Sequence, residues 1–394
     1  MRRGFGPGLI VAAAFIGPGT VTTATLAGAR FGATLLWCLL FATLATMVLQ
    51  EMSARLGLST GAGLGRALRE TPGPRWLGPA LATLAVGAVV TGAAAYEAGN
   101  LTGAGLGLAG TVGLTPKTWA LIGAVLAGGL LWSGRYRLVE RVLVTSVAIM
   151  GIVFLITAVL VAPRVPDLLR GLAIPSLPTG AGLTALGLVG TTIVPYNLFL
   201  HAAAACEHWS GPDDLPAARR DLVLAIGLGG IVSGAIVVTA ASALGNQEIR
   251  SAGDMATQLE PLLGRWAARG FTVGLAAAGL SSAITAPLAA AYATLDALGR
   301  PRDFRSPLAR GVIFGTMAVG VLVALLGTRP VPLILLAQVL NGLVLPVVAV
   351  VLLVAMNDRR RLAGQVNRWW ANLLGVTVVG LCLVLGVRAL VGAF

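Results

Sequence analysis

Long apolar stretches recur along nearly the whole chain, and they constrain its fold more than any other feature. A helix that crosses a bilayer needs about 20 mostly apolar residues, and we identify eleven such segments in the 394 residues. The predicted spans are 7–31, 33–54, 79–106, 118–133, 141–162, 180–206, 221–245, 266–298, 308–327, 331–356 and 370–392. Only 11% of the residues are charged, against roughly 25% in a soluble domain. The sequence therefore predicts an all-α, polytopic membrane protein that forms a single transmembrane domain over residues 1–394.

Basic residues are unevenly distributed over the connections between the spans. The net charge is +13, with 28 Lys and Arg against 15 Asp and Glu. If the N-terminus is cytoplasmic, nineteen of the 28 fall in cytoplasmic segments, and the other nine lie outside or in the last span. Because short cytoplasmic loops of membrane proteins are enriched in Lys and Arg, we expect a multi-pass protein of the inner (plasma) membrane. Its N-terminus is predicted to be cytoplasmic and its C-terminus outside, and the basic charge indicates topology, not a nucleic-acid partner.

Sequence motifs for nucleotide or hydrolytic chemistry are missing. The chain has no GxxxxGK[ST] phosphate loop, no GxGxxG between a strand and a helix, and no HExxH. The three cysteines, Cys38, Cys206 and Cys382, show no CxxC spacing that would hold a metal. We therefore expect no enzymatic activity, no cofactor and no pump driven directly by ATP.

Two predicted spans, the first and the sixth, contain residues that interrupt a helix. The first carries Gly17-Pro18-Gly19 and the sixth carries Val194-Pro195. Proline removes a backbone donor and glycine loosens a helix, and unwound backbone at membrane depth is tolerated only where it faces protein or a water-filled cavity. Breaks in corresponding spans of two halves are typical of inverted-repeat transporters, whose substrate site lies between the half-helix ends. The two repeats and an additional final helix are predicted at 1–165, 175–358 and 366–394.

The residues around these breaks resemble those of the natural-resistance-associated macrophage protein (NRAMP) family of proton-coupled divalent metal transporters. Residues 17–20 read Gly-Pro-Gly-Thr where the family has Asp-Pro-Gly-Asn, and residues 194–197 read Val-Pro-Tyr-Asn where it has Met-Pro-His-Asn. Further segments resemble the family in its order along the chain, at 136–141, 278–282, 337–338, 345–346 and 357–360. The resemblance implies a LeuT-type fold, a 5+5 inverted repeat with discontinuous helices 1 and 6 and eleven transmembrane helices. It also implies secondary transport of a divalent cation.

The differences from the family pattern fall on the expected substrate site. The family holds its metal with the first-helix Asp, the sixth-helix Met and nearby backbone carbonyls, and the two side-chain positions are Gly17 and Val194 here. The candidate substrate-binding residues implied by the resemblance are Ala14, Gly17, Thr20, Thr191, Val194, Tyr196, Asn197 and Gln338. An aspartate supplies charge and a thioether favours softer metals, so we assign no metal ligands. We hypothesise that the chain lacks the family's affinity for transition metals, and that the site suits a partly hydrated cation, a monovalent cation or a small polar organic solute.

Two ionisable residues inside predicted spans match family residues of the proton route. Glu97 matches a glutamate of the third helix and His201 a histidine of the sixth, whereas the family's aspartate three residues before the glutamate is Ala94 here. An ionisable group within a span is costly and is a functional hypothesis by default. The alternative interpretation is that Glu97 and His201 are structural groups that are hydrogen-bonded in the core.

Three functions therefore remain open from the sequence. The first is an NRAMP-like secondary transporter of a cation, and the second is a carrier of a small polar, amino-acid-like solute on the same fold. The third is a non-transporting sensor, which would usually carry an extra soluble output domain, and the predicted spans leave almost no sequence for one. We expect a monomer in the lipid bilayer that binds a small substrate, with proton coupling left open.

Overall fold

Helices account for all the regular secondary structure in the described part of the chain. The computed structural model describes residues 16–109, 113–133, 136–245, 247–327, 329–362 and 364–391. The helices of the first half are α1 (Pro18–Phe31), α2 (Leu36–Thr60), α3 (Leu64–Arg69), α4 (Leu77–Ala109), α5 (Pro116–Ser133), α6 (Tyr136–Leu160) and α7 (Val165–Ala173). Those of the second half are α8 (Gly182–Thr192), α9 (Pro195–His208), α10 (Leu215–Ala243), α11 (Ala252–Ala256), α12 (Glu260–Leu263), α13 (Ala267–Ala297), α14 (Pro307–Leu326), α15 (Pro330–Met356), α16 (Arg359–Leu362) and α17 (Trp369–Val391).

The number of helices able to cross a membrane is lower than predicted when length and hydropathy alone are considered. Within the described ranges there are eight, or nine if the pair Val144–Leu160 and Val165–Ala173, which is bent by 120°, forms one span. The stretch Pro18–Thr60 is counted as one candidate span because a 3-10 turn joins α1 to α2. Helix α5 is not among the eight candidate spans. The observed class is an all-α polytopic membrane protein, and the eleven-span count stays a prediction.

The sixth predicted span is broken where the sequence predicts. α8 ends at Thr192 and α9 begins at Pro195, and the two residues between them have non-helical backbone angles. Proline fits the first position of a helix, where its missing N–H has no acceptor to bond. α1 likewise begins with Pro18, directly after the extended residue Gly17 (φ −108°, ψ −175°). Residues before 16 lie outside the described part, so only the α1 side of the first break is seen.

The broken sixth span lies at the centre of the bundle. In the most apolar 18-residue stretch of this span, 89% is buried inside the protein. The corresponding share is 33% in α14 and in α17, which form the periphery. Small residues allow α4 and α13 to approach each other beside it, and a Cβ on Gly279 would lie 2.7 Å from the Asn100 carbonyl oxygen. Such contacts between small residues replace the hydrophobic driving force that is absent within lipid. The centre of the bundle is therefore a closely packed frame for the two breaks.

Two boundaries differ from the sequence prediction for identifiable reasons. α2 continues to Thr60 instead of ending at residue 54, because Arg55 is satisfied inside the protein. Its guanidinium donates to the Gln365 carbonyl oxygen at 2.8 Å and to Asn367 Oδ1 at 2.7 Å. In addition, the structure has α7 in the connection where no helix is predicted. A charged residue in an apolar pattern therefore marked an internal contact and not the end of the helix.

Candidate functional site

Hydroxyl groups connect the break in the first predicted span to the break in the sixth. Thr20 Oγ1 and Thr191 Oγ1 lie 2.8 Å apart, although 171 positions separate them in the chain. From α4, the Tyr96 hydroxyl donates to the Thr191 carbonyl oxygen at 3.0 Å. All three side chains are buried. The structure therefore brings Thr20 and Thr191, two of the candidate residues, into direct contact.

Gln338 reaches the first break from α15. Gly19 lies directly opposite it, and a Cβ at residue 19 would displace the Gln338 amide group from its present position. Gln338 Nε2 donates to the Ile334 carbonyl oxygen of its own helix at 3.3 Å, whereas Gln338 Oε1 has no hydrogen-bond partner among the described residues. One turn further along α15, Asn341 donates to the Gly190 carbonyl oxygen at 2.7 Å. α15 thus contacts both broken helices through buried amides.

The sixth-span side of the site combines an apolar residue, an aromatic residue and an amide. Val194 is the last residue before α9, and Tyr196 and Asn197 occupy its first turn. The Tyr196 ring meets the Tyr96 ring edge-on, with centroids 5.6 Å apart. Within the described ranges, neither the Tyr196 hydroxyl nor Asn197 Oδ1 has a partner. The first turn of α9 therefore carries two buried polar atoms that do not take part in the hydrogen bonds of the described fold.

Gly17 faces polar side chains of two other helices, and we call the region between them and the two breaks the gap. A Cβ at this position would lie 2.9 Å from Ser282 Oγ of α13 and 3.9 Å from Asn100 Oδ1 of α4. Asn100 is buried, and its Nδ2 makes no hydrogen bond of normal geometry in the part of the chain that the structure describes. Our sequence prediction missed Asn100 and Ser282. The available signal was an amide inside an apolar span, but nothing in the sequence shows which helix faces Gly17.

Glu97 and His201 are both fully buried, and no described contact connects them. Glu97 lies one turn before Asn100, whose side-chain amide interacts with its carboxyl group, and its Cγ would be 2.5 Å from a Cβ on Gly320 of α14. Its two carboxylate oxygens make no hydrogen bond of normal geometry among the residues described. His201 Nδ1 instead lies 2.8 Å from Gln50 Oε1 of α2. The structure therefore places the two predicted proton-route residues in separate surroundings. Ala14, the remaining candidate, lies outside the described residues.

The oxygen donors around the breaks are neutral. In the described ranges no group of three His, Cys, Asp or Glu residues could hold a metal ion. The first turns of α1 and α9 both begin at the breaks, and the N-terminal end of a helix carries partial positive charge. The arrangement can coordinate a cation through carbonyl and amide oxygens, or a polar solute through the same groups. The candidate residues at the breaks supply no carboxylate, and the buried carboxyl group of Glu97 lies beside Asn100 on α4.

A bundle of apolar helices with a broken span at its centre, next to a helix that begins at a buried Gly-Pro, has the architecture of a secondary membrane transporter. Comparison with known proteins identifies the particular family. The family profile "Natural resistance-associated macrophage protein-like" matches residues 8–392, and the chain therefore belongs to the NRAMP family.

Curated relatives and a solved structure agree with this assignment. The chain is 31% identical to the divalent metal cation transporter MntH of Pectobacterium carotovorum subsp. carotovorum (strain PC1), over 98% of this chain and 93% of the relative. It is 33% identical to the divalent metal cation transporter MntH of Acidiphilium cryptum (strain JF-5), over 91% of this chain and 83% of that relative. The manganese transporter of Eremococcus coleocola superposes with a TM-score of 0.79 at 21% identity, over 98% of this chain and 85% of that one. The predicted resemblance and the all-α, LeuT-type transporter fold are confirmed.

Proposed function

We propose that this protein is a secondary transporter of the inner membrane that carries a cation through the gap between α1, α8 and α9. We further propose that it does not hold transition-metal ions tightly. The relatives named as divalent metal cation transporters support a cation as the substrate class. The residues at the breaks support the second part.

The observation that carries the proposal is a pair of buried amide oxygens at the breaks. Gln338 Oε1 and Asn197 Oδ1 have no hydrogen-bond donor among the described residues, and both side chains are almost completely buried. A buried polar group without a partner costs about 1–3 kcal/mol. A cation bound at the breaks would give such an oxygen the partner that the described residues do not provide, and this gain is available only when the substrate is bound.

The weak affinity for transition metals follows from what the site lacks. Gly17 provides no carboxylate and Val194 no thioether at the two positions where the family has its side-chain ligands. A divalent cation recovers its dehydration energy from anionic or strongly polar ligands. Neutral amide and hydroxyl oxygens return less of that energy, which favours a monovalent or a partly hydrated cation.

Calorimetry on the purified protein tests the affinity. We expect no micromolar binding of Mn²⁺ or Cd²⁺ by the wild-type chain. A micromolar heat signal that Asn197→Ala abolishes would show that the altered site still binds transition metals, and it would overturn this part of the proposal.

Uptake into liposomes tests transport itself. We expect concentrative uptake of at least one cation from a panel of Na⁺, K⁺, Mg²⁺, Ca²⁺ and Mn²⁺, and loss of that uptake in Asn197→Ala. Protein-free liposomes and the unrelated surface variant Arg66→Ala provide the controls. Absence of uptake for every cation would reject a cation transporter.

A second candidate is a carrier of a small polar organic solute. The edge-on pair of Tyr96 and Tyr196 gives the gap an aromatic wall, which suits an organic group better than a bare ion. The N-terminal ends of α1 and α9 would attract a carboxylate of such a solute. A thermal-shift screen of ions and metabolites separates the candidates, and a compound that binds without being taken up would indicate the sensor.

We also propose that transport is coupled to protons through Glu97 and His201. The buried carboxyl group of Glu97 makes no hydrogen bond of normal geometry in the described part of the chain, and an ionisable group at this depth is expected to be functional. We expect Glu97→Gln to abolish substrate-driven proton uptake in liposomes containing a pH-sensitive dye. Unchanged proton flux would remove Glu97 from the mechanism. A cytoplasmic N-terminus, an external C-terminus and a monomeric state complete the proposal.

A further inference from the structure

We propose that Asn100 and Ser282 are substrate-binding residues that determine the ion preference of the site. They fill, with neutral groups, the space that a ligand side chain at residue 17 would need. The inference rests on the proposed function only in placing the substrate in the gap beside Gly17.

The geometry shows that the two residues compete for space with any side chain at position 17. A Cβ there would lie 2.9 Å from Ser282 Oγ, which is closer than real Cβ atoms come to other groups. Asn100 Oδ1, at 3.9 Å, is in ordinary contact with the same point. A longer side chain would therefore require Ser282 to rotate and would extend against Asn100.

Close packing holds Asn100 in this position. On the neighbouring helix, Gly279 approaches α4 so closely that a Cβ there would lie 2.7 Å from the Asn100 carbonyl oxygen. The side chain is 1% exposed, and its amide interacts with the Glu97 carboxyl group one turn earlier on α4. No hydrogen bond of normal geometry to Nδ2 is formed within the described residues, so the amide can still gain a bond from a group bound beside Gly17.

The chemistry of this pair explains the preference. An amide presents both a donor and an acceptor, and a hydroxyl does the same, whereas a carboxylate presents only acceptors and a full negative charge. Asn100 and Ser282 can therefore contact an oxygen-coordinated cation or a hydroxyl group without adding charge. The pair makes the gap polar but neutral, which disfavours a dehydrated transition metal relative to a cation of lower charge density.

An isosteric substitution tests the proposal. Asn100→Asp places a second carboxyl group beside Glu97 without changing the shape of the site, and a divalent cation would bind such a pair in its ionised form. We therefore expect affinity for Mn²⁺ measured by calorimetry to increase by at least about tenfold over the wild type. The matched control is Asn367→Asp, which adds the same charge at another buried amide, 2.7 Å from an Arg55 nitrogen and outside the gap. This control is expected to bind Mn²⁺ as the wild type does. Asn100→Asp binding no tighter than Asn367→Asp would overturn the proposal.

A second pair of variants places a carboxylate at residue 17 and tests whether Ser282 limits the space for it. We expect Gly17→Asp to gain less Mn²⁺ affinity than Gly17→Asp combined with Ser282→Ala, by about tenfold, because removing Ser282 Oγ makes room for the new carboxylate. If Asn100→Asp does not yield folded protein, this pair decides, and equal affinities would overturn the proposal. Binding is measured on purified protein, so a wild-type chain without cation uptake would reject the proposed function and leave this result unaffected.

Discussion

Two buried glutamines show how differently the chain treats polar groups in two regions of the membrane bundle. Gln258, in the connection before α12, donates to Thr25 Oγ1 of α1 at 3.0 Å and to the Met255 carbonyl oxygen at 2.7 Å, and it accepts from Thr239 of α10 at 3.1 Å. Gln338, at the break, makes one 3.3 Å bond within its own helix, and its Oε1 has no partner in the described ranges. Both side chains are completely buried.

The difference indicates which polar groups hold the fold together and which are reserved for a ligand. A satisfied buried network fixes the positions of the elements that it connects, whereas an unsatisfied buried acceptor costs stability until something binds it. Gln258 connects α1 to α10, and Gln338 faces the gap between the broken helices. The first should therefore matter for stability and the second for binding.

The largest effect on stability is expected for Gln258→Leu. The substitution removes three hydrogen bonds and leaves Thr25 and Thr239 with fewer partners, which should lower the free energy of unfolding by about 2 kcal/mol. A thermal melt in detergent measures the change, and transport assayed well below the melting temperature should be retained. An unchanged melting temperature would contradict the view that the hydrogen bonds of Gln258 stabilise the fold.

The opposite result is expected for Gln338→Leu. Replacing an incompletely bonded buried amide by an apolar group of similar size should leave the melting temperature equal to or above that of the wild type. Substrate affinity should fall by about tenfold, which corresponds to about 1.4 kcal/mol. Liposome uptake as a function of substrate concentration measures the loss. A variant that is destabilised and still transports normally would show that Gln338 is structural.

The sequence predicts the breaks well because their causes are local. Pro18 and Pro195 each begin a helix in the structure, a position that suits the fixed backbone angle and missing N–H of proline. The apolar pattern likewise predicts the class of protein, since a stretch of this length and polarity can be buried only in a bilayer. Helix ends are less well predicted, because Arg55 and α7 depend on contacts with distant parts of the chain.

Much of the wall around the candidate site could not be predicted, because it depends on which helices face each other. Asn100 and Ser282 are 83 and 265 positions from Gly17 in the chain. Only the packing of α4 and α13 against the first break brings their oxygens to that point. The sequence shows the absence of a carboxylate at residue 17, but it does not show which groups take its place.

A smaller effect is expected from the hydroxyl bond that joins the two breaks. Thr20→Val and Thr191→Val, singly and together, form a double-mutant cycle around the 2.8 Å contact. We expect a coupling energy of about 1 kcal/mol in thermal or chemical unfolding. This bond lies in the region of unsatisfied groups, so a coupling near zero would mean that the breaks are not fixed by their own hydroxyls before substrate binds.

The smallest effect is expected at the surface, and it separates burial from pairing as the cause of stability. The Arg66 side chain is also paired, with its Nε 3.0 Å from Glu70 Oε1, but the side chains of Arg66 and Glu70 are 56% and 41% exposed. Water and salt screen such a pair, so Arg66→Ala should change the free energy of unfolding by less than about 0.5 kcal/mol. The backbone N–H of residue 66 would keep its bond to Asp296 Oδ2, which isolates the side-chain contribution. If pairing alone determined stability, Arg66→Ala would lower the free energy of unfolding by as much per lost contact as Gln258→Leu, and the contrast between the two buried glutamines would then lose its basis in burial.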